Sequence, residues 1–216
     1  MKQNIAEHFP QISIIKQMKL IQIKLKVMGI GGVGCNVMDY YLDNCQFGTH
    51  HIIAADSDIN VVEKSKTPYK VCLGKDDKVE ELFTNTDIII IYTALGGATG
   101  SRFTPEIIKI AKELGIYCIC IVSTPYNKQK LVEESIKMIK VHADTSIIIH
   151  SNGSIEKKLV DDVIGTLSDK ILFEKVDTAK KVLEYRKSNV NFVDLINTLL
   201  KKDKIFNNEN IEVISK

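Results

Sequence analysis

Short apolar runs alternate with amphipathic segments along most of this chain. Runs of consecutive apolar residues that end in glycine or small polar residues predict five strands, at 20–30, 51–55, 87–93, 116–122 and 145–150. Apolar residues three or four positions apart predict helices at 33–45, 105–114, 128–141, 155–167, 173–186 and 192–200. Strands that are apolar throughout, rather than at every second residue, are typical of a parallel sheet covered on both faces. The pattern therefore predicts an α/β fold with a doubly wound, mostly parallel sheet.

The first glycine cluster, Gly29–Gly34, lies between the first predicted strand and the first predicted helix. Glycine lets the backbone approach a phosphate closely, and the start of a helix offers unpaired N–H groups to an anion. This pattern fits a dinucleotide-binding fold and an adenylating enzyme, and it also fits a tight turn that only packs the helix on the strand. Asp56, at the end of the second strand, favours the dinucleotide alternative because a carboxylate there can hold a ribose.

A second glycine cluster follows the third predicted strand and leads into the helix that contains Pro105. It reads Leu95-Gly96-Gly97-Ala98-Thr99-Gly100-Ser101. An ordinary dinucleotide-binding fold has no second phosphate cradle in the same sheet. Glycines around a Thr-Gly pair, followed by a helix with an early proline, resemble the signature loop of the FtsZ/tubulin superfamily. The first glycine cluster is also similar to a loop of that family, so the resemblance implies a Rossmann-like GTPase domain.

The resemblance to FtsZ extends from about Lys26 to Leu200 and implies a site for GTP or GDP with Mg²⁺. It implies that Asn36 contacts the base, that Asn152 contacts guanine and that Asp177 reads the guanine edge, although the spacing there differs by one residue. Polar capping is the alternative role for the last two. Backbone N–H groups and side-chain hydroxyls would hold the phosphates, and Mg²⁺ would neutralise their oxygens. The residues implied to bind the nucleotide are Gly31, Gly32, Val33, Asn36, Asp56, Gly96, Gly97, Ala98, Thr99, Gly100, Ser101, Asn152 and Asp177.

The run Asn189–Asp194 resembles the loop that each FtsZ subunit inserts into the nucleotide site of its neighbour. It implies that Asn191 and Asp194 are the catalytic residues and that they act on the neighbouring subunit's nucleotide. The family has an acid at the position of Asn191, and an amide cannot accept a proton from water as a carboxylate does. Because losing such a group commonly lowers a rate by about 10²–10⁴, the sequence predicts slow hydrolysis of GTP.

Other positions depart from the family pattern. Ala98 and Arg102 stand where the signature loop has glycines, and Arg102 either reaches the phosphates, crowds them or faces solvent. Asp56 replaces an asparagine. A long segment rich in glycine and alanine, which senses the γ-phosphate in the family, is reduced here to Gly74–Thr86. We therefore expect this sensor to be missing.

The expected domain organisation follows from the length of the chain. The 16 residues after Leu200 are too few for the family's second domain, which we expect to be absent. The expected parts are an N-terminal extension over 1–20, an FtsZ-like nucleotide-binding domain with a long C-terminal helix over 21–187, and an inserted-loop remnant with a short helix and a tail over 188–216.

Two functions agree with these features. The first is an FtsZ-like GTP-binding protein with weak or conditional GTPase activity that assembles head-to-tail with itself. The second is a catalytically degenerate adaptor that holds GTP or GDP and regulates the filament of a true FtsZ homologue. A third alternative, an NAD- or ATP-binding Rossmann enzyme, leaves the cluster Gly96–Ser101 unexplained.

Composition restricts the partners and the location. The net charge of +2 gives no electrostatic reason to expect a nucleic acid as partner, and no apolar run approaches the roughly 18 residues that span a bilayer. The five cysteines include no CxxC pair, and Cys118 and Cys120 alternate within an apolar run as buried side chains do. We therefore expect a cytoplasmic protein without direct membrane insertion and without a metal site built from protein side chains.

Overall fold

The structure of this protein is a computed structural model that describes residues 24–44, 51–75, 79–125, 130–151, 157–173, 204–207 and 210–215. The strands in these ranges are β1 Leu25–Ile30, β2 Ile52–Asp56, β3 Tyr69–Cys72, β4 Ile88–Ala94, β5 Tyr117–Pro125, β6 Thr145–Ser151 and β7 Ile211–Ser215. The helices are α1 Gly31–Asn44, α2 Ile59–Lys64, α3 Val79–Leu82, α4 Ala98–Glu113, α5 Lys130–His142 and α6 Lys157–Phe173. A 3-10 turn, Lys204–Asn207, precedes β7.

All the strands belong to one sheet with the order β3-β2-β1-β4-β5-β6-β7. Neighbouring strands from β3 to β6 are parallel, and β7 pairs with β6 in the antiparallel direction. This arrangement confirms the predicted doubly wound, mostly parallel α/β sheet. The order of strands reverses between β1 and β4, which are neighbours with Gly29 opposite Tyr92. Ligands bind at such a switch point, beyond the carboxyl ends of the strands.

Helices cover both faces of the sheet, which explains why its strands are continuously apolar. On one face, α1 and α6 pack against a core that includes Val27 and Ile90. On the other face, α3, α4 and α5 pack against a second core that includes Ile91 and both Cys118 and Cys120. The four isoleucines that begin β4 are each at most 1% exposed. Both sides of the central strands are thus removed from water, as their composition predicts.

The two edge strands are not predicted by the apolar pattern. In β3 the first two residues, Tyr69 and Lys70, are exposed, so that only half of the strand is buried. β7 lies in the segment predicted to be a tail, and it contributes Ile211 and Val213 to one core and Ile214 to the other. An edge strand has a neighbour on one side only, and these two strands lack the continuous apolar run that marks a central strand.

Helix α4 begins at Ala98, whereas the sequence pattern predicts its start at Pro105. A proline within a helix has no N–H and leaves the carbonyl four residues earlier, here that of Ser101, without its usual partner. The Ser135 hydroxyl of α5 donates a hydrogen bond to this carbonyl at 3.1 Å. The helix can therefore contain a proline and still begin directly at the second glycine cluster.

Several predicted segments lie outside the described residues. These are the N-terminal extension over 1–20, most of the predicted helix 173–186, the predicted helix 192–200 and the run Asn189–Asp194. The predicted helix 155–167 corresponds to α6. Within the ranges that the structure describes, no helix is long and apolar enough to cross a membrane.

Candidate nucleotide-binding site

The two glycine clusters lie side by side at the carboxyl edge of the sheet. Gly31, the first residue of α1, has a φ angle of +84°, which residues with a side chain rarely adopt. A Cβ on Gly31 would lie 3.5 Å from the backbone nitrogen of Gly100 and 3.9 Å from the Cβ of Thr99. The starts of α1 and α4 are therefore adjacent, at the switch point between β1 and β4.

Other glycines of the two clusters are required by packing. A Cβ on Gly34 would come within 2.8 Å of the carbonyl carbon of Gly29. A Cβ on Gly100 would come within 2.6 Å of the carbonyl oxygen of Ala94. These contacts hold each helix close to its own strand, so a tight turn explains part of each cluster. Gly97 differs, because no described atom lies within 4 Å of the position that its Cβ would occupy.

The first turn of α4 presents backbone N–H groups that no side chain accepts. Gly97 is the residue that caps this helix, and it has no side chain with which to accept a hydrogen bond. Neither α1 nor α4 has an acidic residue in its first turn. Unpaired N–H groups and the helix dipole both favour an anion at such an end. Two adjacent helix N-termini therefore form a surface that suits the phosphates of a nucleotide.

Asp56 connects the end of β2 with the second glycine cluster. Its side chain is 4% exposed. Its Oδ1 atom accepts hydrogen bonds from the Thr99 hydroxyl at 3.1 Å and from the Asp58 backbone N–H at 2.8 Å. Its Oδ2 atom lies 3.9 Å from the position of a Cβ on Gly32. One carboxylate thus contacts the second glycine cluster and faces the first.

The hydroxyl groups predicted to reach the phosphates are engaged within the protein. Thr99 Oγ1, besides its bond to Asp56, lies 2.7 Å from Ser57 Oγ. Ser101 is 4% exposed, and its Oγ accepts a hydrogen bond from the Gly96 N–H at 3.1 Å. These bonds shape the loop, so backbone N–H groups are the main donors available to an anion. Ser57 was not singled out by the sequence pattern, although it directly follows Asp56.

Two other predicted residues, Val33 and Asn36, are exposed on α1 beside the first glycine cluster. Both are accessible to a ligand at the start of this helix. The remaining predicted residues of the base edge and of catalysis lie outside the described residues: Asn152, Asp177, Asn191 and Asp194. The structure therefore brings the two glycine clusters and Asp56 together, and every binding or catalytic role given to the predicted residues stays a prediction.

Cys35 lies within the first turns of α1 but is not a reactive group. Burial, followed by the nearby charge of Asp56, raises the pKa of its thiol to about 12. Its Sγ donates a hydrogen bond to the Ala55 carbonyl at 3.6 Å. The thiol stays protonated at neutral pH and serves packing. In the described ranges no three His, Cys, Asp or Glu side chains are placed to hold a metal ion, so Mg²⁺ would need phosphate oxygens among its ligands.

The fold, the switch point and the adjacent helix N-termini together define a doubly wound α/β protein with a surface that suits phosphate groups. Comparisons with known proteins refine this class. The model of the Tubulin/FtsZ family, GTPase domain, matches residues 70–158, a range that contains the second glycine cluster.

Relatives and solved structures agree with the family model. FtsZ from Helicobacter pylori strain J99 is 30% identical over 156 residues, which cover 58% of this chain and 40% of that protein. FtsZ from Aquifex aeolicus is 26% identical over 212 residues, which cover 82% of this chain and 56% of that protein. An empty FtsZ dimer from M. jannaschii shares the fold with a TM-score of 0.62, at 18% identity over 77% of this chain and 59% of that chain. The chain is thus similar to proteins of the FtsZ/tubulin superfamily, and it spans about half the length of the relatives it matches.

Proposed function

We propose that this chain binds a guanine nucleotide, GTP or GDP together with Mg²⁺, at the carboxyl ends of β1 and β4. One observation carries the proposal: the starts of α1 and α4 are adjacent, and α4 has no side-chain cap. The similarity to FtsZ and to the Tubulin/FtsZ GTPase domain supports guanine as the base. The protein acts in the cytoplasm, as the odd number of cysteines without a CxxC pair suggests.

Backbone groups bind the phosphates in this proposal. The backbone N–H groups of Ala98, Thr99 and Gly100 lie in the first turn of α4, next to the open space beside Gly97, and would donate hydrogen bonds to the phosphates. Gly31 and its neighbours in α1 supply the facing set of N–H groups. Bound Mg²⁺ would neutralise the oxygens of the β- and γ-phosphates. Asp56 acts as a positioning residue, because its carboxylate fixes the Thr99 hydroxyl rather than the ligand.

The base lies toward the side of α1 on which Asn36 is exposed. Asn36 contacts the base in this proposal, together with Asn152. Asp177 supplies the selectivity for guanine, because a carboxylate accepts hydrogen bonds from the two N–H donors of the guanine edge, which adenine does not offer in the same arrangement. The NAD- and ATP-binding alternatives lack a role for the second glycine cluster.

Hydrolysis depends on a second subunit. Asp56, the carboxylate that contacts the second glycine cluster, is buried and hydrogen-bonded and is therefore poorly placed to activate water. We assign water positioning to Asn191 and Asp194 of a neighbouring copy in a head-to-tail assembly. Because an amide replaces one of the two acids, the rate of GTP hydrolysis is lower by a factor of about 10²–10⁴ than at a site with both acids.

A second candidate function follows from the same amide. If Asn191 leaves the inserted loop without catalytic power, the chain is an adaptor that holds GTP or GDP statically and binds the filament of an FtsZ homologue. The two candidates share the nucleotide site and differ in turnover and in self-assembly.

The test begins with purified protein. Bound nucleotide is extracted and identified by chromatography, and phosphate release from GTP is then measured over a series of protein concentrations. Guanine nucleotide with turnover that rises more steeply than the protein concentration supports the filament GTPase, because the site is completed between subunits. Guanine nucleotide without turnover, and no filaments in negative-stain images with GTP, supports the adaptor. A preference for NAD or ATP over guanine nucleotides contradicts both.

A further inference from the structure

Arg102 is a charged residue in the second turn of α4 that the proposed phosphate site does not yet use. Its side chain is exposed. Its guanidinium carbon, Cζ, lies 4.9 Å from the centre of the Phe103 ring. The Phe103 Cζ atom in turn lies 3.4 Å from the position of a Cβ on Gly74, in the turn that follows β3. The guanidinium thus rests on an aromatic ring that is itself packed against the carboxyl edge of the sheet.

The guanidinium has no acidic partner among the described residues. The ion pairs in the described ranges do not include it, and Glu106, one turn further along α4 and exposed, makes no bond to it. A ring face attracts a cation through its quadrupole but supplies no counter-charge. Arg102 is therefore held in position while its positive charge stays available.

The position of Arg102, one turn after the start of α4, favours the phosphate site. Side chains on a helix lean toward its N-terminus, so a residue covers the turn before its own. For Arg102 that turn begins at Ala98 and includes Thr99, whose hydroxyl is fixed by Asp56. The buried carboxylate of Asp56 places a negative charge at the same edge, which opposes the binding of a further phosphate. A cation at this edge offsets that repulsion.

We propose that Arg102 distinguishes a nucleoside triphosphate from a diphosphate, by giving the terminal phosphate a positive counter-charge and hydrogen-bond donors. The Phe103 ring and Gly74 hold the guanidinium in place for this contact. This inference rests on the proposed function, since it assigns a specificity residue to the same site. It selects one of the roles that the sequence leaves open for Arg102, which are contact with phosphate, crowding of phosphate and exposure to solvent.

The test compares the affinities of GDP and of guanosine 5′-(β,γ-imido)triphosphate, each with Mg²⁺, by titration calorimetry on the full chain. We expect Arg102→Ala to lower the affinity for the triphosphate analogue by roughly 10-fold to 100-fold, which is the range of a lost charge-assisted contact. The affinity for GDP should change by less than about threefold. Arg102→Lys keeps the charge but loses the planar fork, so an intermediate loss is expected. Phe103→Leu keeps Arg102 but removes the ring beneath it. This variant should also lower the affinity for the triphosphate analogue, by less than Arg102→Ala does.

The matched control is Lys109→Ala. Lys109 lies on α4, is exposed and pairs with Glu113 at 3.7 Å, so the variant removes the same charge from the same helix away from the site. We expect both affinities to stay unchanged. Circular dichroism melting of each variant separates loss of fold from loss of binding.

The outcomes separate this inference from the proposed function. If the wild-type chain binds neither nucleotide, the proposed function fails and the role of Arg102 fails with it. If the wild type binds both and Arg102→Ala leaves the ratio of the two affinities unchanged, or strengthens the triphosphate, only the role of Arg102 is overturned. In a further outcome, Arg102→Ala changes the sedimentation coefficient of the nucleotide-bound protein while the ratio of the two affinities stays the same. That result would also overturn the role of Arg102 in nucleotide selection and would assign it to a contact between subunits.

Discussion

The hydroxyl of Ser135 in α5 donates a hydrogen bond to the carbonyl of Ser101 in α4, and this is the carbonyl that Pro105 deprives of its helical N–H partner. The same hydroxyl lies 2.8 Å from the carbonyl of Leu131, one turn earlier in its own helix. The Leu131 carbonyl already has the backbone N–H of Ser135 as its regular α-helical partner. The Ser101 carbonyl therefore depends more strongly on the hydroxyl. One side chain thus lets a proline occur in the helix that opens the proposed phosphate site.

We expect Ser135→Ala to lower the free energy of unfolding by about 1–3 kcal/mol, because a buried carbonyl loses its hydrogen bond. Urea denaturation followed by circular dichroism measures the change. The matched background is Pro105→Ala, which restores a backbone N–H to the Ser101 carbonyl. In that background Ser135→Ala should lower the free energy of unfolding by clearly less. Equal costs in both backgrounds would show that the hydroxyl does not compensate for the proline.

A negative charge in the first turn of α4 should prevent nucleotide binding. Ala98 is exposed there, and an acid at this position favours the helix itself through the helix dipole. Ala98→Asp should therefore keep the fold but lower the affinity for GDP and GTP by roughly 10-fold or more, because the new carboxylate repels the phosphates. Ala98→Asn, which has nearly the same shape without the charge, is the control, and fluorescence titration with labelled nucleotide is the measurement. If the two variants bind equally well, the phosphates do not lie at the start of α4.

The buried carboxylate of Asp56 should be replaceable by an amide. The amide oxygen of Asp56→Asn can still accept the hydrogen bonds from Thr99 and from the Asp58 N–H, while the charge that faces Gly32 is removed. We expect this variant to bind guanine nucleotide as tightly as the wild type or a few-fold more tightly. Asp56→Ala loses both bonds and should unfold more easily by about 1–3 kcal/mol. Weaker binding by Asp56→Asn would instead show that the carboxylate contacts the ribose or Mg²⁺ directly.

Asp161 in α6 should make stability depend on pH. Burial, and next the charge of Asp162, raise its pKa to about 6, and its Oδ1 atom has no hydrogen-bond partner in the described structure. The folded chain therefore keeps a proton on this carboxyl between about pH 4 and pH 6, where the unfolded chain has lost it. Stability contributed by this group is present below about pH 4 and is lost as the pH rises through 6.

Asp161→Asn removes this loss, so the variant should be more stable than the wild type at pH 7.5 and not at pH 4. The gain stays below about 1 kcal/mol because the side chain is only partly buried and solvent screens the rest of it. Denaturant midpoints over a pH series measure it. Asp162→Asn, on the same helix and exposed, should give a smaller gain of the same sign. Parallel pH profiles for Asp161→Asn and the wild type would contradict the assignment.

Much of the central sheet could be predicted from the chain alone, because burial on both faces leaves a local signature. The isoleucines that begin β4, and Cys118 with Cys120 in β5, show it as runs without polar residues. The edge strands could not be predicted in this way. β3 begins with two exposed residues, and β7 pairs with β6 only because the chain returns to the sheet about sixty residues later, a contact that no local pattern encodes.

The sequence by itself determined the alternation of strands and helices, the two glycine clusters and their likeness to FtsZ, since these depend on residues that are close along the chain. Only the tertiary structure decided how the clusters meet and what their side chains do. Asp56 and Thr99 are 43 positions apart, and Ser101 and Ser135 are 34 apart, yet each pair shares a hydrogen bond. A hydroxyl in a loop looks available to a ligand until folding brings a partner to it. For this reason Thr99 and Ser101 act inside the loop, and the open backbone N–H groups beside them form the surface at which we propose that an anion binds.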